Sequence, residues 1–177
     1  MKIENQELLE QMYSKILAVF RDPNSTLEQV FEAYKAEPEK QPENTPFIEY
    51  NNGKQFHRHV IKAAFRERIA ILLGQSKTFD EAFAIYKGIP KRVTIGVAVT
   101  KDHAAEKALR LANCRQALDV CRYAPSGIIG ERALAKASSL AKTPAELWQV
   151  AVHSYARGIR SRKFWVRAVK KLATKIK

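Results

Sequence analysis

Apolar residues recur along this chain at the spacing of a helix. Leu9, Met12, Ile16 and Val19 fall three or four residues apart, and Leu8, Tyr13 and Phe20 widen the stripe, which predicts an amphipathic helix over residues 6–21. Asp22-Pro23-Asn24 breaks it. The next stretch, TLEQVFEAYK from Thr26, is echoed by TFDEAFAIYK from Thr78 and, more loosely, by TPAELWQVA from Thr143, where Trp148 takes the place of Phe31 and Phe83. Each copy opens with Thr and has Gln or Glu three residues on, a capping box that satisfies orphan amides at a helix start. Leu27, Val30, Phe31 and Tyr34, and likewise Phe79, Ala82, Phe83 and Tyr86, give each helix one face to bury. Each copy follows an apolar helical stretch and a short break, so the unit is a helix, a tight turn and a shorter capped helix. The copies start 52 and 65 residues apart, which is no fixed repeat period.

Residues 55–73 are apolar on two sides, with Ile61, Phe65, Ile69 and Leu72 on one and Phe56, Val60, Ala64 and Ile71 on the other. A helix of that kind is sandwiched between neighbours, which makes it the central helix, ended by Gly74. RVTIGVAV (92–99) alternates with the period of a strand, yet a short helix after Pro90 fits its surroundings almost as well. Residues 102–123 read as one helix capped by Asp102, with Leu111, Cys114, Leu118 and Cys121 as its core stripe. Pro125-Ser126-Gly127 closes it. A further helix over 128–141 carries Ala133, Leu134, Ala137 and Leu140, the third Thr-led helix runs to Arg157-Gly158, and Ser161 is placed to cap the last. The fold class is therefore all-α: six to eight helices in irregular hairpins around a central helix, with at most one small β-hairpin or strand. The Pro-rich stretch before a tight turn at Asn52-Gly53 marks the best boundary. The organisation expected is a helical hairpin over 1–36, a linker or hairpin over 37–55, a helical core over 56–157 and a basic amphipathic helix over 158–177.

Composition narrows the classes. Apolar residues at 46% and charged residues at 28% suit a globular chain, and no apolar run approaches the roughly 18 residues of a membrane span. The first residues mix acids and amides and lack the hydrophobic core of a secretion signal. Cys114 and Cys121 stand seven apart in one predicted helix, a rise of about 10 Å that a disulfide cannot bridge. Buried free thiols and a reducing, cytoplasmic setting are the expectation.

The formal charge of +13 changes the picture most. Residues 1–50 carry five basic and ten acidic side chains, whereas residues 157–177 carry nine basic ones and no acid. Such a gradient steers anionic partners toward the C-terminal end. In the last helix Trp165, Val169, Leu172 and Ile176 form an apolar seam, with Lys163, Arg167, Lys170, Lys171 and Lys177 opposite and Lys175 at the edge. Arg157, Arg160, Arg162 and Arg167 suit bidentate phosphate contacts, and Phe164 or Trp165 would stack on bases. A second strip, Lys54, Arg58, Lys62 and Arg66, steps along the 55–73 helix. The expected function is non-catalytic binding of RNA or DNA backbone. The alternative is a protein-interaction module whose basic helix meets an acidic partner or an anionic membrane surface. Gly127-Ile-Ile-Gly130 matches the loop of KH-type RNA binders, although helix punctuation accounts for it better. His57-Arg-His59 lacks the cluster of Cys, Asp or Glu that would complete a metal site. No P-loop, nucleophile elbow or dinucleotide fingerprint occurs, so no catalytic residue and no cofactor is assigned.

Overall fold

A computed structural model describes residues 2–36, 54–89, 95–124, 127–158 and 161–175. Among them the chain is helical throughout, with nine helices and no strand: α1 (Lys2–Arg21), α2 (Leu27–Lys35), α3 (Lys54–Gln75), α4 (Phe79–Gly88), α5 (Ile95–Leu111), α6 (Cys114–Tyr123), α7 (Ile128–Leu140), α8 (Pro144–Ala156) and α9 (Arg162–Lys175). All three Thr-led capping boxes form. Thr26 with Gln29 opens α2 and Thr143 with Glu146 opens α8, each side chain accepting from the other's backbone amide. Thr78 and Glu81 do the same before α4, at 3.1 and 3.3 Å. The amides they satisfy also hold the Glu81 and Glu146 carboxyls below their ordinary range.

Of the two readings left open for 92–99, the helical one holds where the chain is described: residues 95–99 belong to α5. A helix satisfies its own backbone groups, whereas a strand needs a partner, and none exists among the described residues. The predicted 102–123 helix is two, broken at Ala112-Asn113, which raises the count to nine. Asn113 caps α6 with a box of its own, bonding Gln116 both ways at 2.9 Å, while Asp102 lies inside α5 and caps nothing. The two sides of α3, expected to be sandwiched alike, are buried unequally: Ile61, Phe65 and Ile69 are fully buried, Val60 and Ala64 half-buried and Ile71 exposed. The expected turn at Asn52-Gly53 and residues 37–53 of the expected 37–55 linker fall outside the described residues, while Lys54 and Gln55, the end of that linker, open α3 instead.

The chain divides into two compact units, Met1–Gln75 with Gly88–Thr100, and Ser76–Lys87 with Lys101–Lys177. In the first, Phe65 gathers the rings of Phe20, Phe31 and Tyr34 at centroid distances of 5.6, 6.1 and 4.1 Å. The aromatic positions of α1 and α2 thus converge on one point of α3, and burial of such side chains contributes about 1.5–3 kcal/mol each. Gly88 is required there, because a Cβ would overlap the Phe31 ring. Arg68 is buried too. It donates to the carbonyls of Pro23 and Ser25 at 2.9 and 2.8 Å, fastening α3 to the α1–α2 turn.

The second unit is a sequential stack in which each helix from α6 onward packs on the next and also meets the one after it. Phe83 of α4 joins it, its ring edge-on to Tyr123 of α6 at 5.4 Å. Cys114 and Cys121 are free and buried, and burial pushes both thiols up. Basic side chains tie the stack together at helix ends. Lys136 on α7 donates to the carbonyls of Leu109 and Arg110 in the last turn of α5. Arg157, just past α8, donates to Cys121 and Ala124 at the end of α6. Lys171 on α9 lies 3.4 Å from the Ser138 carbonyl near the end of α7. The last carbonyls of a helix have no intrahelical partner and carry the negative pole of its dipole, so a cation from two helices on answers both.

Candidate nucleic-acid interface

Helix α9 has Arg162, Lys163, Arg167, Lys170, Lys171 and Lys175 along fourteen residues, with no acid among them. All six are exposed, and none forms an ion pair with a carboxylate among the described residues. The helix docks through Phe164 and Ala168, which are buried, and through half-buried Val169 and Leu172. The docked face is therefore turned from the Trp165-Val169-Leu172 seam expected from the sequence toward Phe164 and Ala168, by about 40° at 100° per residue, leaving Trp165 at its exposed edge. A large ring beside a small Ala interdigitates with a neighbouring helix better than a line of large side chains does. Facing it, α8 turns Leu147, Val150, Ala151 and Ser154 inward.

This rotation sorts the candidates. Lys163, Arg167 and Lys170 fall within about 60° of one another on one flank of α9, and Trp165, Val169 and Leu172 take the other flank. Phe164 is only 8% exposed and lies beneath the Lys163 ammonium, 5.0 Å from its ring centre, so it offers no face for a base. Trp165 does, at 37% exposure.

Arg157 is removed from the anion-binding set. Its guanidinium is committed to the Cys121 and Ala124 carbonyls and is seated against Gly130, where a Cβ would overlap it. The same contact accounts for the second glycine of the Gly127-Ile-Ile-Gly130 motif. Gly127 takes a left-handed φ of 86° before α7, and Gly130 makes room for Arg157. Gly127 thus answers a backbone conformation and Gly130 a packing contact. Lys171 keeps an exposed position while reaching toward Ser138. Arg160 and Lys177, with Ile176 of the predicted seam, lie outside the described residues.

The strip on α3 belongs to the first unit. Lys54 and Arg58 stand on its first two turns, Lys62 is half-buried and Arg66 is exposed. His57 and His59 are on helical rather than extended backbone. No group of three His, Cys, Asp or Glu able to hold a metal occurs among the described residues. A shallow cleft of about 310 Å³ is lined by Glu106, Leu109, Arg110, Arg132 and Lys136. Three of its four charged side chains are already engaged, Arg132 with Glu106 and Lys136 with helix-end carbonyls.

Sequence reasoning missed one feature of this region. Trp148, aligned with the core rings Phe31 and Phe83, is 61% exposed, and Val152 and Tyr155 on the same side of α8 are also exposed. The absence of any charge at 144, 145, 148, 149, 152, 155 and 156 on α8 was the available signal, because an outward helix face ordinarily carries charge. Among the described residues no helix is long and apolar enough to cross a membrane. Comparison of the chain with protein-family models, with curated proteins and with solved structures returned no match.

Proposed function

We propose that this protein binds nucleic acid, without catalysis, by laying the basic face of α9 along a phosphate backbone. The observation that carries the reading is the set of six exposed Lys and Arg side chains on one acid-free helix, unpaired with any carboxylate among the described residues. Other cations of the same unit answer helix ends or acids, as Lys136, Arg157 and Arg132 do; of these six, Lys171 alone reaches such a carbonyl among the described residues, and the other five exceed what the fold uses. Four of the six are Lys. Protein interfaces are depleted in Lys, whereas a polyanion with evenly spaced charges rewards it. This favours nucleic acid over an acidic protein surface.

The test is fluorescence anisotropy of a labelled oligonucleotide at low salt, with Arg162, Arg167 and Lys170 changed to Gln. These positions are exposed and make no hydrogen bond that the fold needs among the described residues, so circular dichroism should stay unchanged. Affinity should fall by tenfold or more, on the order of one phosphate contact per side chain. Wild-type binding that is absent at low salt, or equal in the variant, overturns the proposal.

A further inference from the structure

The outward face of α8 is uncharged and aromatic. Trp148, Val152 and Tyr155 step along it at i, i+4 and i+7, exposed by 61, 47 and 78%, and Ala145, Gln149 and Ala156 complete it. In the two other Thr-led helices the ring at the position of Trp148 is core: Phe31 and Phe83 are each 8% exposed. The third copy keeps the capping box and buries Leu147, Val150 and Ala151, yet turns its largest side chain to solvent. Core packing does not hold Trp148 or Tyr155, so these rings are free to meet a ligand.

The neighbouring element says which ligand. Helix α8 packs against α9, whose exposed cations carry no acid between them. Packed helices lie about 8–10 Å apart, a span of the order that long Lys and Arg side chains cover. A polyanion that also offers flat apolar faces suits the pair, and in a duplex those faces are closed by stacking. We infer that the bound species is single-stranded nucleic acid, with Trp148 and Tyr155 as a stacking platform on α8 and the cations of α9 holding the backbone. Seven helical residues separate the two rings by about 10 Å along the axis, so they serve two bases that are not adjacent, with Val152 beneath the nucleotide between them. Stacking accepts any base, so the platform selects strandedness rather than sequence. The inference rests on the backbone-binding reading above, which α9 alone would satisfy.

The experiment compares a labelled oligothymidylate with a duplex of equal length at one low salt concentration. It uses the full chain, its Trp148→Ala/Tyr155→Ala variant and the α9 variant of the preceding section. Both changed side chains are mostly exposed, so helix content should be unaffected. The single strand should bind more tightly than the duplex, and the aromatic variant should lose about fivefold or more on the single strand while its duplex affinity stays put. Only two tryptophans are present, so a Trp165→Phe variant reports Trp148 alone, and its fluorescence should be quenched by oligothymidylate. Equal single-strand affinity in the aromatic variant overturns the inference, while the α9 variant still reports on the backbone reading. If neither nucleic acid binds at low salt, both fall. A Glu-rich amphipathic peptide that loses affinity for the aromatic variant, with oligonucleotide binding unchanged, assigns the face to protein and likewise overturns it.

Discussion

Changing Gly130 to Ala should have opposite effects on stability depending on residue 157. Arg157 donates to two carbonyls at the end of α6, and its guanidinium fills the space that a Cβ at 130 would enter. A hydrogen bond from a charged group contributes about 1.5–3 kcal/mol. Arg157 is only half-buried and water can replace part of the interaction, so losing both bonds should cost about 2–4 kcal/mol. Gly130→Ala forces the guanidinium out of its seat and loses much of that sum. It also gains about 0.5–1 kcal/mol of helix propensity, for a net destabilisation of roughly 1–3 kcal/mol. With Arg157 already changed to Ala nothing occupies the space, and only the propensity gain remains. The four proteins of the cycle, unfolded in urea and followed by circular dichroism, should show a coupling of about 2–4 kcal/mol between the two sites. At about 2–4 °C per kcal/mol for a chain of this size, the sign change is also visible in Tm. If Gly130→Ala stabilises both backgrounds equally, the guanidinium does not sit where the structure places it, and Arg157 returns to the anion-binding candidates.

Two further predictions concern buried titratable groups. Cys114 and Cys121 are 4% and 1% exposed and burial pushes their thiols up, so neither should react with a disulfide reagent at mildly alkaline pH before the chain unfolds. Rapid modification of the native protein would contradict their burial. His153 is half-buried and held below its ordinary 6.5, first by desolvation and then by the Arg122 and Arg157 charges. The unfolded chain therefore binds the proton first, and stability should decline as pH falls from about 6.5 toward the lower folded value. His153→Gln should flatten that part of a urea-midpoint profile, and an unaltered slope would show that other groups produce it.

Much of the fold was legible because it rests on local chemistry. Capping boxes at Thr26, Thr78 and Thr143 need only two side chains three residues apart, and each forms. The box at Asn113 is the same device with a different first residue, and it lay hidden inside an apolar stripe that ran on through the break. What the sequence could not show is which of several apolar lines a neighbour covers. In α9 both Phe164 and Trp165 stand beside apolar neighbours, and packing against α7 and α8 buries Phe164. The same limit applied to Trp148, whose place in the repeat argued for the core, and to Arg157, whose carbonyl partners stand more than thirty residues away. The six exposed cations of α9 were legible as a group, because a helix without acids has no internal way to neutralise them.

Backbone binding by α9 has a direct signature in its salt dependence. Anisotropy titrations of a labelled single strand across a salt series give the slope of log Kobs against log salt, which is about −0.7 per phosphate contact. With the exposed cations of α9 on the backbone, the wild-type slope should be about −3 to −4, and neutralising Arg162, Arg167 and Lys170 should make it shallower by about 2. A wild-type slope near zero, or one that the three substitutions leave unchanged in a folded protein, would contradict the account.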